Sequence, residues 1–284
     1  IKKHPAKFSS KLKEKTLLMF FEAPSLRTRI SFEVGITQLG GHGIFYDIHE
    51  STLGKKEAIK DFARVVSRYA DIVMARIYSH DQMLELAQNS SVPVINGMTN
   101  YEHPCQILSD LMTIYEKKKN LRGLKLAYVG DGLNNTTHSL LFGASKIGIH
   151  ISVATPHGKD FEPAKNVVNK AKKIAKKSKS LIEISNDAKS AAKDADIIYT
   201  DSWMSYHVSP EQENKRRKIF MPYQVNKKLM KFTKNAYFMH CLPAKRGDEV
   251  TDDIMDSKNS IIFDQAENRL HAQKAIMLWL LGKI

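Results

Sequence analysis

Four polar side chains within five residues could together bind an anion: Ser25, Arg27, Thr28 and Arg29. They follow an apolar run at residues 17–21, and Pro24 prevents that run from continuing into a central strand. Ser25 stands where a helix N-cap belongs, and apolar residues recur at roughly helical spacing over 26–39. Backbone N–H groups at a helix start favour an anion, and the planar guanidinium of arginine matches phosphate. The stretch therefore predicts a phosphate site, although a capped surface helix with solvated arginines would share this local pattern.

Further polar side chains follow predicted strands in the second half of the chain. Asn135 follows the strand LKLAYVG, Asp201 lies near the end of the strand DIIYTDSW, and Cys241 lies toward the end of the strand AYFMHCLPA. The loop GDGLNN lacks the full glycine pattern of a dinucleotide site, because Asn134 and Asn135 stand where the third glycine would permit close backbone approach. We therefore reject NAD binding and interpret Asn135 as an amide for a polar amino-acid substrate. Asp201 is either a helix cap or a partner for an ammonium group, and Cys241 by itself would be a small buried hydrophobe.

Strands and helices are predicted to alternate along the whole chain. Parallel strands joined by helices form doubly wound sheets, in which ligand-binding residues stand at the carboxyl ends of the strands. We therefore predict the α/β class, with two doubly wound parallel-sheet domains. The charged connection KKKNLRG marks the predicted junction, which gives domains at residues 1–120 and 121–284. The last predicted elements are a strand at 260–265 and a helix over about 266–282.

Charge and cysteine content limit the classes of protein to consider. No apolar run approaches the length of a membrane span, and the two cysteines, Cys105 and Cys241, fit a reducing compartment. The net charge of +14 would suit nucleic acid, but seven lysines fall between Lys165 and Lys179 on a predicted amphipathic helix without interleaved aromatic residues. We therefore predict no nucleic-acid and no membrane partner, and a basicity that suits anionic small molecules.

The stretch FFEAPSLRTRISFE resembles the carbamoyl-phosphate signature of the aspartate and ornithine carbamoyltransferases, whose usual form is S-T-R-T-R. Leu26 replaces the threonine, which removes a hydroxyl but keeps the backbone N–H, so the phosphate site is expected to survive. Further motifs follow in family order over nearly the whole chain: TLGKKEA, EHPCQ, GDGLNN, DSWMS, MHCLPAKRGDEV and AENR. The MHCLPAKRGDEV string is of the ornithine type, since aspartate enzymes have a histidine-proline-leucine version there.

The resemblance implies a transferase that moves the carbamoyl group of carbamoyl phosphate to the side-chain amine of L-ornithine, with no cofactor and no metal. His103 would donate to the carbamoyl oxygen, and the Gln106 carbonyl would accept from the carbamoyl NH2. Arg76 and Thr28 would add donors as negative charge builds on that oxygen. Arg29 is expected to be a structural ion-pair partner whose loss would unfold the protein. The carbamoyl-phosphate residues implied within the chain are Ser25, Leu26, Arg27, Thr28, Arg76, His103, Gln106, Cys241, Leu242 and Arg269.

The acceptor site implied by the resemblance consists of Asn135, Asp201, Ser205 and Tyr206. Asp201 and Cys241 would bind the side-chain amine and orient it toward the carbamoyl carbon, while the Leu242 carbonyl restrains it. Of all these residues, Arg27, His103, Asp201 and Cys241 are assigned to catalysis. Holding two substrates together would suffice without a covalent intermediate.

The loop TLGKKEA resembles the mobile loop that enters the neighbouring subunit's site in aspartate carbamoyltransferases. Thr52 and Lys56 would then act on the adjacent site of a homotrimer or of a multiple of trimers, with a flexible surface loop carrying two lysines as the alternative. The resemblance further implies a cytoplasmic enzyme of arginine biosynthesis, but the same residues would serve ornithine-forming breakdown. Family members begin with a helix ahead of the stretch IKKHPAKFSSKLKEK, so the chain is expected to be truncated. Their last helix crosses back to pack on the first domain, so the resemblance implies the same for the predicted helix over about 266–282.

One departure from the ornithine type concerns the acceptor. Ornithine enzymes have Met-Gly after the Asp and Ser of DSWMS, whereas this chain has Tyr206 and His207. A histidine lacks the backbone freedom of glycine, and the tyrosine adds a hydroxyl. Another amine acceptor such as putrescine therefore stays open as an alternative, as does a basic binding module on the same fold.

Overall fold

The computed structural model describes residues 1–48, 57–204 and 208–284. They form two compact units, of which unit 1 consists of Ile1–Cys105 and Glu267–Ile284, and unit 2 consists of Gln106–Ala266. Each unit has its own parallel sheet with helices, so the predicted α/β class with two parallel sheets is confirmed. The predicted domain boundary near residue 120 stays a prediction.

Unit 1 is built on a four-stranded parallel sheet with the strand order β2-β1-β3-β4. Strand β3 is buried along its whole length, as expected for a parallel strand covered on both faces. The elements in chain order are β1 (Thr16–Phe21), α1 (Leu26–Gln38), β2 (His42–Asp47), α2 (Ile59–Val66), β3 (Ile72–Arg76), α3 (His80–Asn89) and β4 (Val94–Met98).

Unit 2 is built on a five-stranded parallel sheet with the strand order β7-β6-β5-β8-β9. Its strands are β5 (Lys125–Val129), β6 (His150–Ala154), β7 (Ile182–Ser185), β8 (Ile197–Thr200) and β9 (Tyr237–His240). Its helices are α4 (Pro104–Lys118), which begins in unit 1, α5 (Asn135–Ile147), α6 (Lys165–Ser178), α7 (Ala188–Ala192), α8 (Glu213–Phe220), α9 (Lys227–Met230), α10 (Asp252–Met255) and α11 (Ile262–Leu280), which ends in unit 1.

The lysine-rich segment forms the predicted amphipathic helix, α6. Val167, Ala171 and Ala175 are buried on one face, and the lysines lie on the others. The positive charge of these lysines therefore lies on a solvated helix face, as the lysine spacing predicted. In the ranges that the structure describes, no helix is both long and apolar enough to cross a membrane.

The predicted strand at 260–265 is wrong. Ser260 forms an isolated parallel bridge with Phe238, and α11 begins at Ile262. Ile261 and Ile262 are buried whereas Phe263 is 70% exposed, so the apolar run supplies one bridge to β9 and then the first turn of a helix. A short apolar run without periodicity fits a strand and a buried helix start equally well, which explains the error.

The last helix contributes to the core of unit 1. Met277 and Leu278 of α11 pack in one cluster with Leu17, Phe32 and Ile36. The final residues of the chain therefore belong to the same compact unit as its first strand. This arrangement brings the middle of α11 near the start of α1, where the predicted phosphate site lies.

Candidate active site

Polar residues lie at or after the carboxyl ends of three strands in unit 1. Ser25 follows β1, Arg76 ends β3, and His103 follows β4. In the order β2-β1-β3-β4, β2 lies on one side of β1, and β3 and β4 lie on the other. Ligands of open parallel sheets bind at such a switch point, here between β1 and β3. The three predicted site residues therefore share one edge of the sheet.

Ser25 and Thr28 organise the first turn of α1. The Ser25 Oγ accepts the backbone N–H of Thr28 at 3.3 Å and donates its own proton to Thr28 Oγ1 at 3.1 Å. This is the N-cap that the sequence predicted, and it sets the start of the helix at Leu26. Arg269 Nη2 also donates to Thr28 Oγ1, at 3.1 Å, so a guanidinium from α11 reaches the same hydroxyl.

The two signature arginines have different surroundings. Arg29 Nε lies 3.2 Å from Glu33 Oε2, and its guanidinium carbon lies 3.7 Å above the Phe45 ring. Arg29 therefore forms an ion pair, as expected, but the pair lies on the surface of α1. Arg27 is half-buried at the helix start and stays a predicted phosphate ligand.

Arg76 holds the turn between β1 and α1. It is buried at the end of β3, opposite Phe21 of β1, and its Nε donates to the Ala23 carbonyl at 3.0 Å. The carbonyl of Arg76 in turn accepts the backbone N–H of Glu22 at 2.9 Å. This buried guanidinium is fixed by the strand and the turn before any ligand binds.

His103 is buried immediately before α4. Burial lowers the pKa of its imidazole well below the ordinary 6.5, and the positive charges of Arg269 and Arg76 lower it further. The ring is therefore neutral near pH 7, with one N–H to donate. Two nearby guanidiniums and one neutral N–H donor suit a ligand with a phosphate and a polarisable carbonyl.

The loop between β5 and α5 is held by a side-chain cap and by a close contact with the Phe161 backbone. Asn134 caps α5, since its Oδ1 accepts the backbone N–H of Thr137 at 2.8 Å. A Cβ on Gly132 would lie 2.7 Å from the Phe161 carbonyl, so this glycine permits a close approach of the neighbouring backbone. Asn135 is the first residue of α5 and is only partly buried, which leaves its side chain in reach of a ligand.

Cys241 and Asp201 meet at the carboxyl ends of β9 and β8. The Cys241 thiol donates to Asp201 Oδ1 at 3.0 Å, and the same oxygen accepts the backbone N–H of Ser202 at 2.8 Å. Both side chains are partly exposed. The structure thus brings together the two residues that the family resemblance assigned to the side-chain amine.

His240 and Glu249, which sequence reasoning missed, hold the Cys241–Leu242 turn. His240 Nδ1 accepts the Leu242 backbone N–H at 2.9 Å, and its Nε2 lies 3.3 Å from Glu249 Oε1. Leu242 has a φ of +61°, in the left-handed region that branched residues avoid. The buried pair therefore supports a strained backbone next to Cys241.

Asp201, His240 and Cys241 also offer ligand atoms that lie within 4.8 Å of one another, a spacing that a metal ion would allow. However, both ring nitrogens of His240 already have partners in Leu242 and Glu249. A metal at His240 would therefore displace the contacts that hold the turn. The Asp201–Cys241 pair with an exposed face suits an ammonium group better.

Arg216 and Asp131 form a buried ion pair that sequence reasoning also missed. Arg216 Nη2 lies 2.5 Å from Asp131 Oδ2, and its Nε donates to the Trp203 carbonyl at 2.7 Å. Asp131 lies in the GDGLNN loop and Trp203 in the DSWMS motif, so the guanidinium joins both motifs. The sequence offered only a weak signal, because Arg216 stands among charged neighbours on α8.

Four predicted site residues lie outside the described ranges: Thr52, Lys56, Ser205 and Tyr206. Within the described ranges, the structure brings Thr28, Arg76, His103 and Arg269 together in unit 1. In unit 2 it brings Asp201, Cys241 and Leu242 together, and Asn135 begins α5, after the neighbouring strand β5.

The family of the chain follows from comparison with known proteins. The carbamoyl-P binding domain of aspartate/ornithine carbamoyltransferase matches residues 1–116, and its Asp/Orn binding domain matches residues 122–280. The ornithine carbamoyltransferase of Thermococcus kodakarensis is 54% identical over 274 residues, which are 96% of this chain and 86% of that protein.

Solved structures agree with this match. Ornithine carbamoyltransferase from Pyrococcus furiosus superposes with a TM-score of 0.92 at 50% identity, over 97% of this chain and 87% of that one. Ornithine transcarbamoylase from Giardia lamblia superposes with a TM-score of 0.91 at 39% identity, over 100% of this chain and 91% of that one. The chain therefore belongs to the aspartate/ornithine carbamoyltransferase family.

Proposed function

We propose that the chain transfers the carbamoyl group of carbamoyl phosphate to the side-chain amine of L-ornithine, giving L-citrulline and phosphate. The hydrogen bond between Cys241 and Asp201 is the observation that supports this acceptor most directly. This hydrogen bond joins the ornithine-type HCLPA string to the DSW motif. The Asp201 carboxylate beside it can bind a cationic amine. The relatives from Thermococcus kodakarensis and Pyrococcus furiosus, which are half or more identical to this chain, are also ornithine carbamoyltransferases.

Carbamoyl phosphate binds in unit 1 through its phosphate and its carbonyl oxygen. Ser25, Leu26, Arg27 and Thr28 offer backbone N–H groups, hydroxyls and a guanidinium at the start of α1, where the helix dipole favours an anion. The neutral His103 donates to the carbonyl oxygen, with Arg76 and Arg269 nearby. Negative charge on that oxygen increases in the tetrahedral transition state. These donors therefore stabilise the transition state more than the ground state, which lowers the barrier.

The acceptor amine must lose a proton before it can attack. An alkyl ammonium group is ordinarily protonated near pH 7. Asp201 Oδ1 and Cys241 hold the amine. The Asp201 carboxylate, Cys241 in its thiolate form and the leaving phosphate are the groups that can receive its proton. Asn135, Ser205 and Tyr206 bind the amino-acid end of ornithine in this proposal, and the Leu242 carbonyl restrains the side-chain amine.

The reaction needs neither a covalent intermediate nor a bound cofactor. The amine attacks the carbamoyl carbon, the C–O bond to phosphate breaks, and phosphate leaves with the electron pair. Bringing two substrates into near-attack geometry converts a bimolecular step into an effectively unimolecular one, which can account for much of the acceleration.

We also propose that the active unit is a homotrimer in which Thr52 and Lys56 act on the neighbouring subunit's site. An apolar stripe on α1 supports association with another copy. Leu26, Ile30 and Val34 are 71%, 48% and 38% exposed, and their spacing of four residues puts them on one helix face. Such a stripe on a folded surface is typical of an interface between subunits.

We propose further that the enzyme is cytoplasmic and serves arginine biosynthesis. Cys105 and Cys241 both stand outside any disulfide in the described part of the chain, which is the expected state in a reducing compartment. The use of putrescine as the acceptor is the rival within the same family, since Tyr206 and His207 depart from the ornithine type.

A citrulline assay tests the proposed function. Purified protein with carbamoyl phosphate and L-ornithine should produce citrulline and phosphate in equal amounts, and the rate should saturate in both substrates. Omitting either substrate should abolish the product. Absence of citrulline under conditions where the protein binds carbamoyl phosphate would overturn the ornithine assignment and leave a different acceptor.

A further inference from the structure

A fully buried carboxylate, Asp110, lies four residues after Gln106 on α4. Its Oδ1 accepts a hydrogen bond from Gln106 Nε2 at 2.8 Å and another from Gln265 Nε2 at 2.8 Å. Its Oδ2 accepts from the Tyr199 hydroxyl at 3.0 Å. All four residues belong to unit 2, and each is at most 1% exposed. A buried charge is costly unless it is hydrogen-bonded, and three donors meet that requirement here.

The donors around Asp110 are fixed in their roles. Burial raises the pKa of the Tyr199 hydroxyl well above 10, and its electrostatic interactions with Asp110, Cys241 and Asp201 raise it further. The hydroxyl therefore keeps its proton and can donate it. An ionised carboxylate can only accept hydrogen bonds, so an amide that faces it must present its NH2 group.

This requirement decides which end of the Gln106 amide is used for the carboxylate. If the amide were turned over, its Oε1 would face Asp110 Oδ1, and two acceptor oxygens would repel each other at hydrogen-bond distance. Asp110 therefore fixes Nε2 on its own side. The remaining end of the amide is the carbonyl oxygen Oε1, which is an acceptor and is the group that a carbamoyl NH2 requires.

We propose that Asp110 is a positioning residue that makes Gln106 an acceptor for the NH2 group of carbamoyl phosphate, and so selects a carbamoyl group over an acyl group that lacks the NH2. This inference rests on the proposed function, which assigns Gln106 to the carbamoyl group. Asp110 does not touch the substrate and acts through the amide that it orients.

The hydrogen bonds around Asp110 extend to β9, the strand that Cys241 follows. Gln265 Oε1 accepts the backbone N–H of His240 at 3.0 Å, and its Nε2 also donates to the Tyr199 hydroxyl at 3.0 Å. The Ser109 hydroxyl donates to the Gln265 carbonyl at 3.0 Å. Asp110, which orients Gln106, is therefore linked through Gln265 to the end of β9, just before Cys241. These hydrogen bonds hold the Asp110 carboxylate in place beside Gln106.

The pH profile of a Gln106→Glu variant tests the inference. The introduced carboxyl group, when protonated, can donate to Asp110 and still present a carbonyl oxygen, whereas its ionised form repels Asp110. The ratio of variant to wild-type kcat/KM for carbamoyl phosphate should therefore rise as pH falls, by up to about tenfold per pH unit. Adding Asp110→Asn supplies an NH2 donor to the ionised form of that carboxyl group, so the double variant should lose this rise. A flat ratio for Gln106→Glu, or an unchanged rise in the double variant, would overturn the inference.

A second measurement keeps the test independent of that variant's folding. Acetyl phosphate has a methyl group where carbamoyl phosphate has its NH2, so the ratio of its inhibition constant to the KM for carbamoyl phosphate measures NH2 recognition. Asp110→Leu is close in size and carries no acceptor, and it should lower this ratio at least about tenfold. An unchanged ratio would overturn the inference. Thr113→Val is the matched control, because it removes a buried hydrogen bond to the Ser109 carbonyl on the same helix and leaves the Gln106–Asp110 bond in place, so the ratio should stay unchanged.

A Gln106→Leu variant separates this inference from the proposed function. An unchanged KM for carbamoyl phosphate in Gln106→Leu would overturn the assignment of Gln106 itself, and the inference with it. A raised KM in Gln106→Leu, together with a flat pH ratio in Gln106→Glu, would overturn only the role of Asp110.

Discussion

Arg269 donates a hydrogen bond from Nη2 to Oγ1 of Thr28 over 3.1 Å, although 241 residues separate the two in the chain. The contact joins α11 to the first turn of α1 within unit 1. Arg269 also contributes to lowering the pKa of His103. Arg269 of the last helix therefore adds a guanidinium beside the predicted phosphate site at the start of α1. The positive charge there comes from segments that are far apart in sequence.

The first prediction concerns the phosphate site. Arg27→Ala should lower kcat/KM for carbamoyl phosphate at least about a hundredfold, because a charge-assisted contact to phosphate is lost. Steady-state kinetics at saturating ornithine measures this. Near wild-type activity in a folded Arg27→Ala protein would show that the start of α1 does not bind the phosphate.

Arg29→Ala is the matched control for Arg27→Ala. Its ion pair with Glu33 and its contact with the Phe45 ring are both on the surface, so we expect a loss of about 1 kcal/mol of unfolding free energy or less. The expectation that Arg29→Ala unfolds the protein is thereby revised to a small effect. Its kcat/KM should stay within a few fold of wild type, since the side chain is engaged away from the site.

The second prediction concerns the stability of the protein in acid. The unfolded chain takes up a proton at His103 near pH 6.5, whereas the folded protein takes it up only at lower pH because its pKa is depressed. The unfolded state thus binds more protons, and stability falls as pH falls below about 6.5. In urea unfolding between pH 7.5 and 5.5, His103→Gln should lose less stability than wild type.

His4→Gln is the control for this pH dependence, because His4 is an exposed histidine of the same unit. It should reproduce the wild-type slope of unfolding free energy against pH. Equal slopes for His103→Gln and wild type would contradict the assignment of a neutral, buried imidazole to His103.

The third prediction concerns the acceptor amine. Asp201→Asn removes the carboxylate that holds the ammonium group, so kcat/KM for ornithine should fall about a hundredfold while the KM for carbamoyl phosphate changes little. Asp196→Asn is the matched control, since Asp196 lies at the opposite end of β8 and contacts Lys118 and Lys125. If the two variants lose ornithine use equally, Asp201 has no special role in the acceptor site.

The fourth prediction concerns assembly. Lys56→Ala and Arg27→Ala subunits should each be inactive alone, but mixed oligomers should regain part of the activity if Lys56 acts on the neighbouring site. Some interfaces in the mixture combine an intact loop with an intact phosphate site. Activity is measured after dissociation and re-association, with the mixed oligomers verified by mass. No recovery in such oligomers would contradict a shared site.

Local sequence patterns predicted the elements and many of the site residues. The cap at Ser25 and the Asp201–Cys241 pair follow from strand and helix signals combined with the family motifs. The pairs that hold these residues were not predictable in the same way. Asp131 and Arg216 are 85 residues apart, and Asp110 and Gln265 are 155 apart, so no local pattern identifies either pair. The wrong strand at 260–265 has a different cause, namely an apolar run too short to show a period.

The preference for ornithine over putrescine decides whether L-ornithine is the acceptor. A decarboxylated acceptor such as putrescine would leave the groups that bind the α-carboxylate without a partner, which is costly in a buried site. Carbamoyl transfer to each amine should be measured under the same conditions as kcat/KM. We predict that ornithine exceeds putrescine at least about a hundredfold, on the order of 3 kcal/mol. Equal or better use of putrescine would contradict the ornithine assignment while leaving the chain a carbamoyltransferase.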